Sequence, residues 1–280
     1  MFPFAGACAA TIASAAELDD VSQLMVSVAP TWDSKSGLLQ CFERRDNDWQ
    51  PVMPPWPVLY GKNGLAWGRG VLTGDASGPP PKHEKDGRAP AGVFRLGTIY
   101  TYDNALPPGA KYPFHTVTRA DAWIDDVTSR DYNRHVVIDD PANPPRWFEK
   151  QKMRHNDFAY RWLIEIRHNA DPPVPGAGSA IFFHIRRGAQ RPSAGCTTMA
   201  ESDLVKLIRW LRREARPHYA LLPRDEYRVR WKAWGLPSPE RAAGLLGANA
   251  STRKGAAAAT PESLQAETAP KKSSRPALAE

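Results

Sequence analysis

Short stretches in which apolar and polar residues alternate recur through the first part of the chain. Residues 21–28 show this period of two, which places every second side chain on one face of a strand, and residues 38–42 form a second short run. The turn-forming run Asp46-Asn47-Asp48 follows the second stretch. The pattern predicts neighbouring strands of a β-meander.

The middle of the chain predicts a hairpin, a long loop and a region of little regular structure. Asn63-Gly64 lies between two apolar runs, and both residue types tolerate the positive φ of a type I′ hairpin turn. Residues 74–92 are dominated by Gly, Pro and charges, which indicates a long loop before a strand that begins at Val93. Residues 103–160 are irregular, and we expect loops and short strands there.

The pattern becomes regular again towards the C-terminal part. Residues 160–166 and 180–185 are compact apolar runs bounded by turn residues, which predicts two buried, neighbouring strands. Beyond them, apolar residues recur at spacings of three and four, as on one face of a helix. Thr198 and Glu201 have the spacing of a capping box, so we expect this helix to run from about residue 199 to 213. Its apolar face comprises Leu204, Leu207, Ile208 and Leu211.

The composition supports a mainly β fold with an unstructured extension at each end. The 27 prolines and 20 glycines are scattered along the 280 residues, as is typical of many short strands. Residues 1–16 are apolar and rich in Ala, and they end in Ala13-Ser14-Ala15, which fits a signal-peptidase site although a basic start is missing. Residues 245–280 have too little apolar surface to fold, so we expect a disordered tail. The leader predicts a periplasmic or secreted protein.

The charge of the chain narrows its partners only slightly. The formal net charge is +7 and the pI is about 9.4, so anionic polymers are attracted to the surface. Part of this excess positive charge lies in the predicted tail. No apolar stretch is long enough to span a bilayer, and no transmembrane segment is predicted. The sequence leaves the oligomeric state open.

The segment from residue 179 to 199 carries the chemistry, because it places a His on a predicted strand and a Cys just before the predicted helix. Alternation puts His184 on the opposite face from Phe183. A thiolate is favoured by an imidazolium, by nearby cations or by a helix N-terminus, and Cys196 is expected to have all three. Gly195 lets backbone N–H groups approach a substrate carbonyl and stabilise an oxyanion. These features indicate acyl transfer.

The same segment resembles the L,D-transpeptidase catalytic domain, also called the YkuD family. The family signature is a His on a strand followed by Ser/Thr-x-Gly-Cys, which is His184 followed by Ser193-Ala194-Gly195-Cys196 here. Residues 82–94 resemble the family loop that leads to Thr-Pro-x-Gly-x-Phe, with Ala89 in place of Thr. The resemblance implies a catalytic domain over residues 20–236, built as a β-sandwich or distorted barrel of mixed sheets with a helix after the Cys loop.

The resemblance also implies a substrate and roles for the site residues. Cys196 would attack the carbonyl of a peptidoglycan stem peptide and hold the stem as a thioester, with His184 taking the thiol proton. The backbone N–H groups of Gly195 and Cys196 would stabilise the oxyanion, and Ser193 would order the loop or touch the substrate. A stem carboxylate would pair with Arg186 or Arg187. No cofactor is implied.

Several alternatives stay open. Family members usually have His at the position of Ala194 and often Arg at that of Thr198, and these departures leave transfer or hydrolysis open. The same site could act as an L,D-carboxypeptidase or detach wall-linked proteins. A non-catalytic module that binds the wall or a polyanion is a third possibility, in which Cys196 is a structural thiol or a disulfide partner of Cys41.

No metal site and no nucleic-acid partner are predicted. Metal sites are recognised in a sequence by His-Glu-x-x-His or Cys-x-x-Cys spacing, and the histidines other than His184 show neither. These histidines are His83, His115, His135, His155, His168 and His218.

Overall fold

The computed structural model describes residues 15–74 and 79–247, and within them the chain is mainly β. The strands are β1 (Gln23–Ala29), β2 (Ser36–Arg45), β3 (Asp48–Pro51), β4 (Trp56–Leu59), β5 (Leu65–Trp67), β6 (Ala89–Thr101), β7 (Phe114–Thr116), β8 (Asp121–Trp123), β9 (His135–Val137), β10 (Trp162–Ile166), β11 (Phe182–Ile185), β12 (Thr197–Met199) and β13 (His218–Pro223). The α-helices are α1 (Phe148–Gln151), α2 (Glu201–Trp210), α3 (Arg224–Arg230) and α4 (Ala243–Leu246).

Eight of these strands form a closed barrel. Their order is β1, β13, β6, β10, β11, β12, β4 and β2, and β2 pairs back onto β1. The pairs β1–β13 and β11–β12 are parallel and the other neighbours are antiparallel. Closure removes the exposed edges that an open sheet would present. This confirms the expected mainly β fold, a distorted barrel of mixed strands with a helix after the Cys loop.

The interior follows the predicted alternation. β10 and β11 are buried neighbours, as predicted, and the structure pairs them in antiparallel orientation. Phe183 packs in the main core, whereas Phe182 on the opposite face joins a second, smaller apolar cluster. The predicted apolar face of α2 is fully buried and covers the barrel beside β11.

Two turn predictions have different outcomes. Asp46 and Asn47 have φ of 49° and 63° and connect β2 to β3 as a tight hairpin. The hairpin predicted at Asn63-Gly64 is wrong, because β4 pairs with β2 and β12 while β5 pairs with β6. A turn closed by the Gly64 N–H to the Gly61 carbonyl is present, but the two strands diverge into different parts of the sheet.

The predicted start of the helix after Cys196 is also wrong. Residues 197–199 form β12 and pair with β11, and α2 begins only at Glu201. Ala200 is its N-cap and provides no side-chain bond, while the Thr198 hydroxyl is buried without a hydrogen-bond partner among the described residues. Strand pairing in the barrel overrides the local capping-box pattern because it satisfies the backbone of residues 197–199 instead.

The predicted tail begins later than expected. Leu245 and Leu246 are buried in α4, which packs on β1 and β2, so the folded chain extends past the predicted start of the tail. The rest of the tail, and the predicted leader up to residue 14, lie outside the described residues. Among the described helices, none is long and apolar enough to cross a membrane. Cys41 and Cys196 are both free thiols, which contradicts the disulfide alternative.

Candidate active site

A cleft of about 460 Å³ opens where β11, β12 and the loop between them meet residues 82–85. His184 comes from β11, and Cys196 immediately precedes β12, which pairs with β11 in parallel. The strand pairing therefore brings two residues that are twelve positions apart to one surface. The cleft is lined by Lys82, Glu84, Lys85, Asp125, Tyr160, Ser179, Ala180, Ile181, His184, Arg187, Arg191, Pro192, Ser193, Ala194, Gly195, Cys196 and Thr198.

The Cys196 thiol has two backbone partners. Its Sγ accepts the Phe182 N–H at 3.4 Å and lies 3.5 Å from the Ala180 carbonyl, to which the S–H donates. Burial raises the pKa of the Cys196 thiol to about 11, although the Phe182 N–H and the charges of Lys82 and Arg187 favour the thiolate. The expected help from a helix N-terminus is missing, because β12 separates Cys196 from α2. The resting thiol is therefore protonated at neutral pH.

The His184 imidazole is held in one tautomer. Its Nδ1 lies 2.9 Å from the Ile185 carbonyl, and a carbonyl can only accept, so Nδ1 carries the proton and the Nε2 lone pair is free to take another. The Tyr160 ring packs edge-on at a centroid distance of 5.1 Å. Burial lowers the pKa of His184 to about 4. The imidazole is consequently neutral near pH 7, which is the form that a general base requires.

A buried ion pair lies at the wall of the cleft. Lys82 Nζ donates to Asp86 Oδ1 at 2.7 Å, and only 4% of each side chain is exposed. Burial by itself would raise the pKa of Asp86, but Lys82 and the backbone N–H groups of Arg88 and His83 hold it below its usual value. The Lys82 ammonium also lowers the pKa of Cys196. The sequence pattern of residues 82–94 indicated no role for Lys82 or Asp86.

Ser193 orders the loop that carries Cys196. Its Oγ lies 2.5 Å from the Cys196 carbonyl, to which it donates, and it accepts the Gly195 N–H at 3.0 Å. Gly195 has φ of 155°, and a Cβ there would come within 3.0 Å of the Arg88 carbonyl. Two backbone N–H groups, those of Gly195 and Cys196, were expected to stabilise an oxyanion. The Gly195 N–H is already bonded to Ser193, whereas the Cys196 N–H forms no hydrogen bond to another described residue and is available.

Ala180, next to Cys196, holds a backbone conformation that costs energy. Its φ is 54°, in the left-handed region where a residue with a Cβ is disfavoured by roughly 1–2 kcal/mol. Asn133 fixes it, because the Asn133 side-chain oxygen accepts the Ala180 N–H at 3.0 Å. The Asn133 amide group in turn donates to the carbonyls of His168 and Asn169. Asn133 thus positions the carbonyl that accepts the Cys196 thiol, a role that no local sequence signal indicated.

The arginines expected to bind substrate are placed differently from one another. Arg187 lines the cleft, stacks over the Tyr160 ring at 4.7 Å and is bonded to the Asp157 carboxylate. Arg186 does not line the cleft. Arg191 does, and within the described residues its side chain forms no ion pair, so it is the more available guanidinium.

The fold and the site together define a class of protein: a closed, mixed β-barrel that presents a cysteine and a tautomer-fixed histidine in one cleft. The profile of the YkuD family, the L,D-transpeptidase catalytic domain, matches residues 56–229, which is more than half of the chain. The chain therefore belongs to this family of L,D-transpeptidase-type enzymes, whose members act on peptidoglycan. No curated protein and no solved structure matches the chain.

Proposed function

We propose that this protein is a cysteine acyltransferase that forms a thioester between Cys196 and a peptidoglycan stem peptide. One observation carries the proposal: Cys196 and His184 line the same cleft, and the Ile185 carbonyl leaves the His184 Nε2 lone pair free. The alternative of a non-catalytic binding module does not account for this arrangement.

In the first step the Cys196 sulfur forms a C–S bond to the stem carbonyl while His184 takes the thiol proton. Coupling the two events is expected because the pKa of the thiol is about 11 and that of the imidazole about 4, so a free thiolate–imidazolium pair is strongly disfavoured at rest. The C–N bond to the terminal D-alanine then breaks. His184 returns the proton to the leaving amine, and the stem remains as a thioester.

In the second step an acceptor attacks the thioester carbonyl while His184 takes the acceptor's proton. The C–S bond then breaks, and that proton passes to the Cys196 sulfur. An amine of a neighbouring stem gives a cross-link, and water gives a trimmed stem, as in an L,D-carboxypeptidase. The Cys196 N–H is the proposed oxyanion donor in both steps. Transfer is the primary proposal, and the expected location is periplasmic or secreted, where the wall lies.

Stem peptides carry carboxylates, and the cleft offers cations to bind them. Arg191 and Lys85 line the cleft, and among the described residues neither forms an ion pair. A guanidinium binds a carboxylate through two parallel N–H bonds, so Arg191 is proposed to recognise a stem carboxylate in place of Arg186. Arg187 is proposed to act with Asp157 in holding Tyr160 against His184.

The proposal is tested by intact-protein mass spectrometry after incubation with a carbapenem, a β-lactam that acylates an activated cysteine through its ring carbonyl. Wild type and Cys41→Ser should gain the mass of one carbapenem, and Cys196→Ala should gain none. An unmodified wild type that also resists small thiol reagents would exclude the catalytic role and favour the binding module.

The acceptor is identified in a second experiment. Purified disaccharide tetrapeptides are incubated with wild type and Cys196→Ala, and the products are separated by liquid chromatography and mass spectrometry. Cross-linked dimers identify transfer, and tripeptides without dimers identify hydrolysis. Formation of either product by Cys196→Ala would contradict the thioester mechanism.

A further inference from the structure

Two histidines and one aspartate converge outside the cleft. His115 on β7, Asp121 on β8 and His135 on β9 offer one ligand atom each, and these atoms all lie within 4.8 Å of one another. Asp121 Oδ1 is 2.6 Å from both His115 Nε2 and His135 Nε2. The fold brings together residues that are spaced by 6 and 14 positions, and this spacing matches neither His-Glu-x-x-His nor Cys-x-x-Cys.

The charge of Asp121 lacks a full counter-charge. Its side chain is 0% exposed, and its ion-pair partners in the described residues are the two imidazoles, with no lysine or arginine among them. Its second oxygen accepts the N–H and the hydroxyl of Thr118, both at 2.6 Å, which fixes the orientation of the carboxylate. These hydrogen bonds keep Asp121 ionised, so the cluster combines a buried negative charge with two imidazole nitrogens and suits a bound positive ion.

We infer that His115, Asp121 and His135 bind a divalent transition-metal ion of the Zn²⁺ type. Two imidazoles and a carboxylate are ligands that Zn²⁺ prefers, whereas Ca²⁺ and Mg²⁺ prefer oxygen ligands alone. Ligands of a tetrahedral zinc with bonds of about 2.0–2.1 Å lie about 3.3 Å apart. The two His–Asp contacts therefore lengthen by about 0.7 Å when the ion enters. The His115 and His135 side chains are 37% and 20% exposed, which leaves a route from solvent and room for water ligands.

The ion joins three segments of the 103–160 region to one another. β8 pairs with β9, and Trp123 on β8 donates its indole N–H to Asn133, the residue that fixes Ala180 beside the nucleophile. Tyr100 on β6 packs edge-on against both imidazoles, at centroid distances of 5.9 and 4.9 Å, and connects the cluster to the barrel. The bound ion is thus a structural brace for β8 and β9, which flank the segment that contains Asn133, and it takes no part in the thioester chemistry.

The inference is tested by equilibrium dialysis of the full chain, with any affinity tag removed because polyhistidine tags bind the same metals. EDTA-treated protein is dialysed against micromolar ZnCl₂, and bound zinc is measured by mass spectrometry. CoCl₂ provides a second probe, since protein-bound Co²⁺ absorbs visible light. We expect one ion per chain, with affinity lower by roughly 10- to 100-fold or more in His115→Gln and in His135→Gln.

Controls separate this site from other histidines and from the proposed enzyme reaction. His83→Gln removes an exposed histidine outside the cluster and should bind zinc like wild type. Cys196→Ala should also bind zinc normally, so failure of the catalytic proposal would leave this one intact. His115 is partly exposed and Gln can still donate to Asp121, so circular dichroism should show a folded variant. Wild type that binds neither ion, or undiminished binding by either cluster variant, would overturn the inference.

Discussion

We expect the ion pair between Lys82 and Asp86 to contribute measurably to the free energy of unfolding, because both side chains are almost completely buried. Lys82→Met removes the ammonium and leaves the Asp86 carboxylate without its cation. Breaking one side of a buried pair costs about 3–5 kcal/mol. Asp86 keeps the backbone N–H groups of His83 and Arg88, which places the expected loss near the lower end, about 3 kcal/mol.

Asp86→Asn is expected to cost a similar amount, since it leaves the Lys82 charge unpaired. The double variant Lys82→Met/Asp86→Asn removes both charges, and neutral groups of similar size often replace a buried pair at little cost. Its loss should therefore be about 1–2 kcal/mol, well below the sum of the single losses. With single losses of about 3 kcal/mol each and a double loss of about 1–2 kcal/mol, the coupling free energy is about 4–5 kcal/mol.

Urea unfolding followed by tryptophan fluorescence measures these free energies. Thermal unfolding gives an independent check, because about 3 kcal/mol lowers the Tm of a domain this size by roughly 6–12 °C. A Lys82→Met loss below about 1 kcal/mol, or a double variant whose loss equals the sum of the singles, would refute the reasoning.

Three further predictions concern the titrating groups. His184→Gln should lower the acylation rate by about 10²–10⁴-fold, and because the pKa of His184 is about 4, the acid limb of the wild-type rate profile should lie near pH 4. Burial lowers the pKa of His168 to about 3. Below about pH 6.5 the unfolded chain therefore binds a proton at His168 that the folded chain does not. As the pH is lowered from 6 to 4, this group should reduce the free energy of unfolding by roughly 1.4 kcal/mol per pH unit. Urea titrations at a series of pH values should show a shallower fall for His168→Gln than for wild type. Iodoacetamide should label Cys196 increasingly as the pH rises from 7 to 9. Cys41 should stay unlabelled until urea is added, because it is fully buried and burial raises its pKa. Peptide mapping distinguishes the two labelled sites.

The local sequence was sufficient to predict those elements whose pattern of apolar, polar and turn-forming residues agrees with their surroundings in the folded chain. The strands predicted at residues 21–28 and 38–42 are present as β1 and β2, and the predicted apolar face of α2 is the face that the barrel buries. Asp46 and Asn47 form the tight turn because their own side chains tolerate positive φ. The paired motifs around His184 and Cys196 were likewise sufficient to identify the family, which the profile match over residues 56–229 confirms.

The local sequence failed where long-range pairing competes with a local preference. Thr198 and Glu201 have capping-box spacing, yet residues 197–199 join the barrel as β12 and the helix starts later. Asn63-Gly64 suits a type I′ turn, yet the strands on either side pair with different partners. In both places hydrogen bonds to residues distant in sequence satisfy the backbone.

The sequence by itself determined the β character of the chain, the helix that covers the barrel and the candidate nucleophile and base. Only the tertiary structure decided what surrounds them: the Lys82–Asp86 pair beside the thiol, Asn133 holding Ala180, and the meeting of His115, Asp121 and His135. The physical reason is that periodicity and turn chemistry act over a few residues, whereas burial, charge pairing and tautomer choice depend on neighbours that only barrel closure brings together.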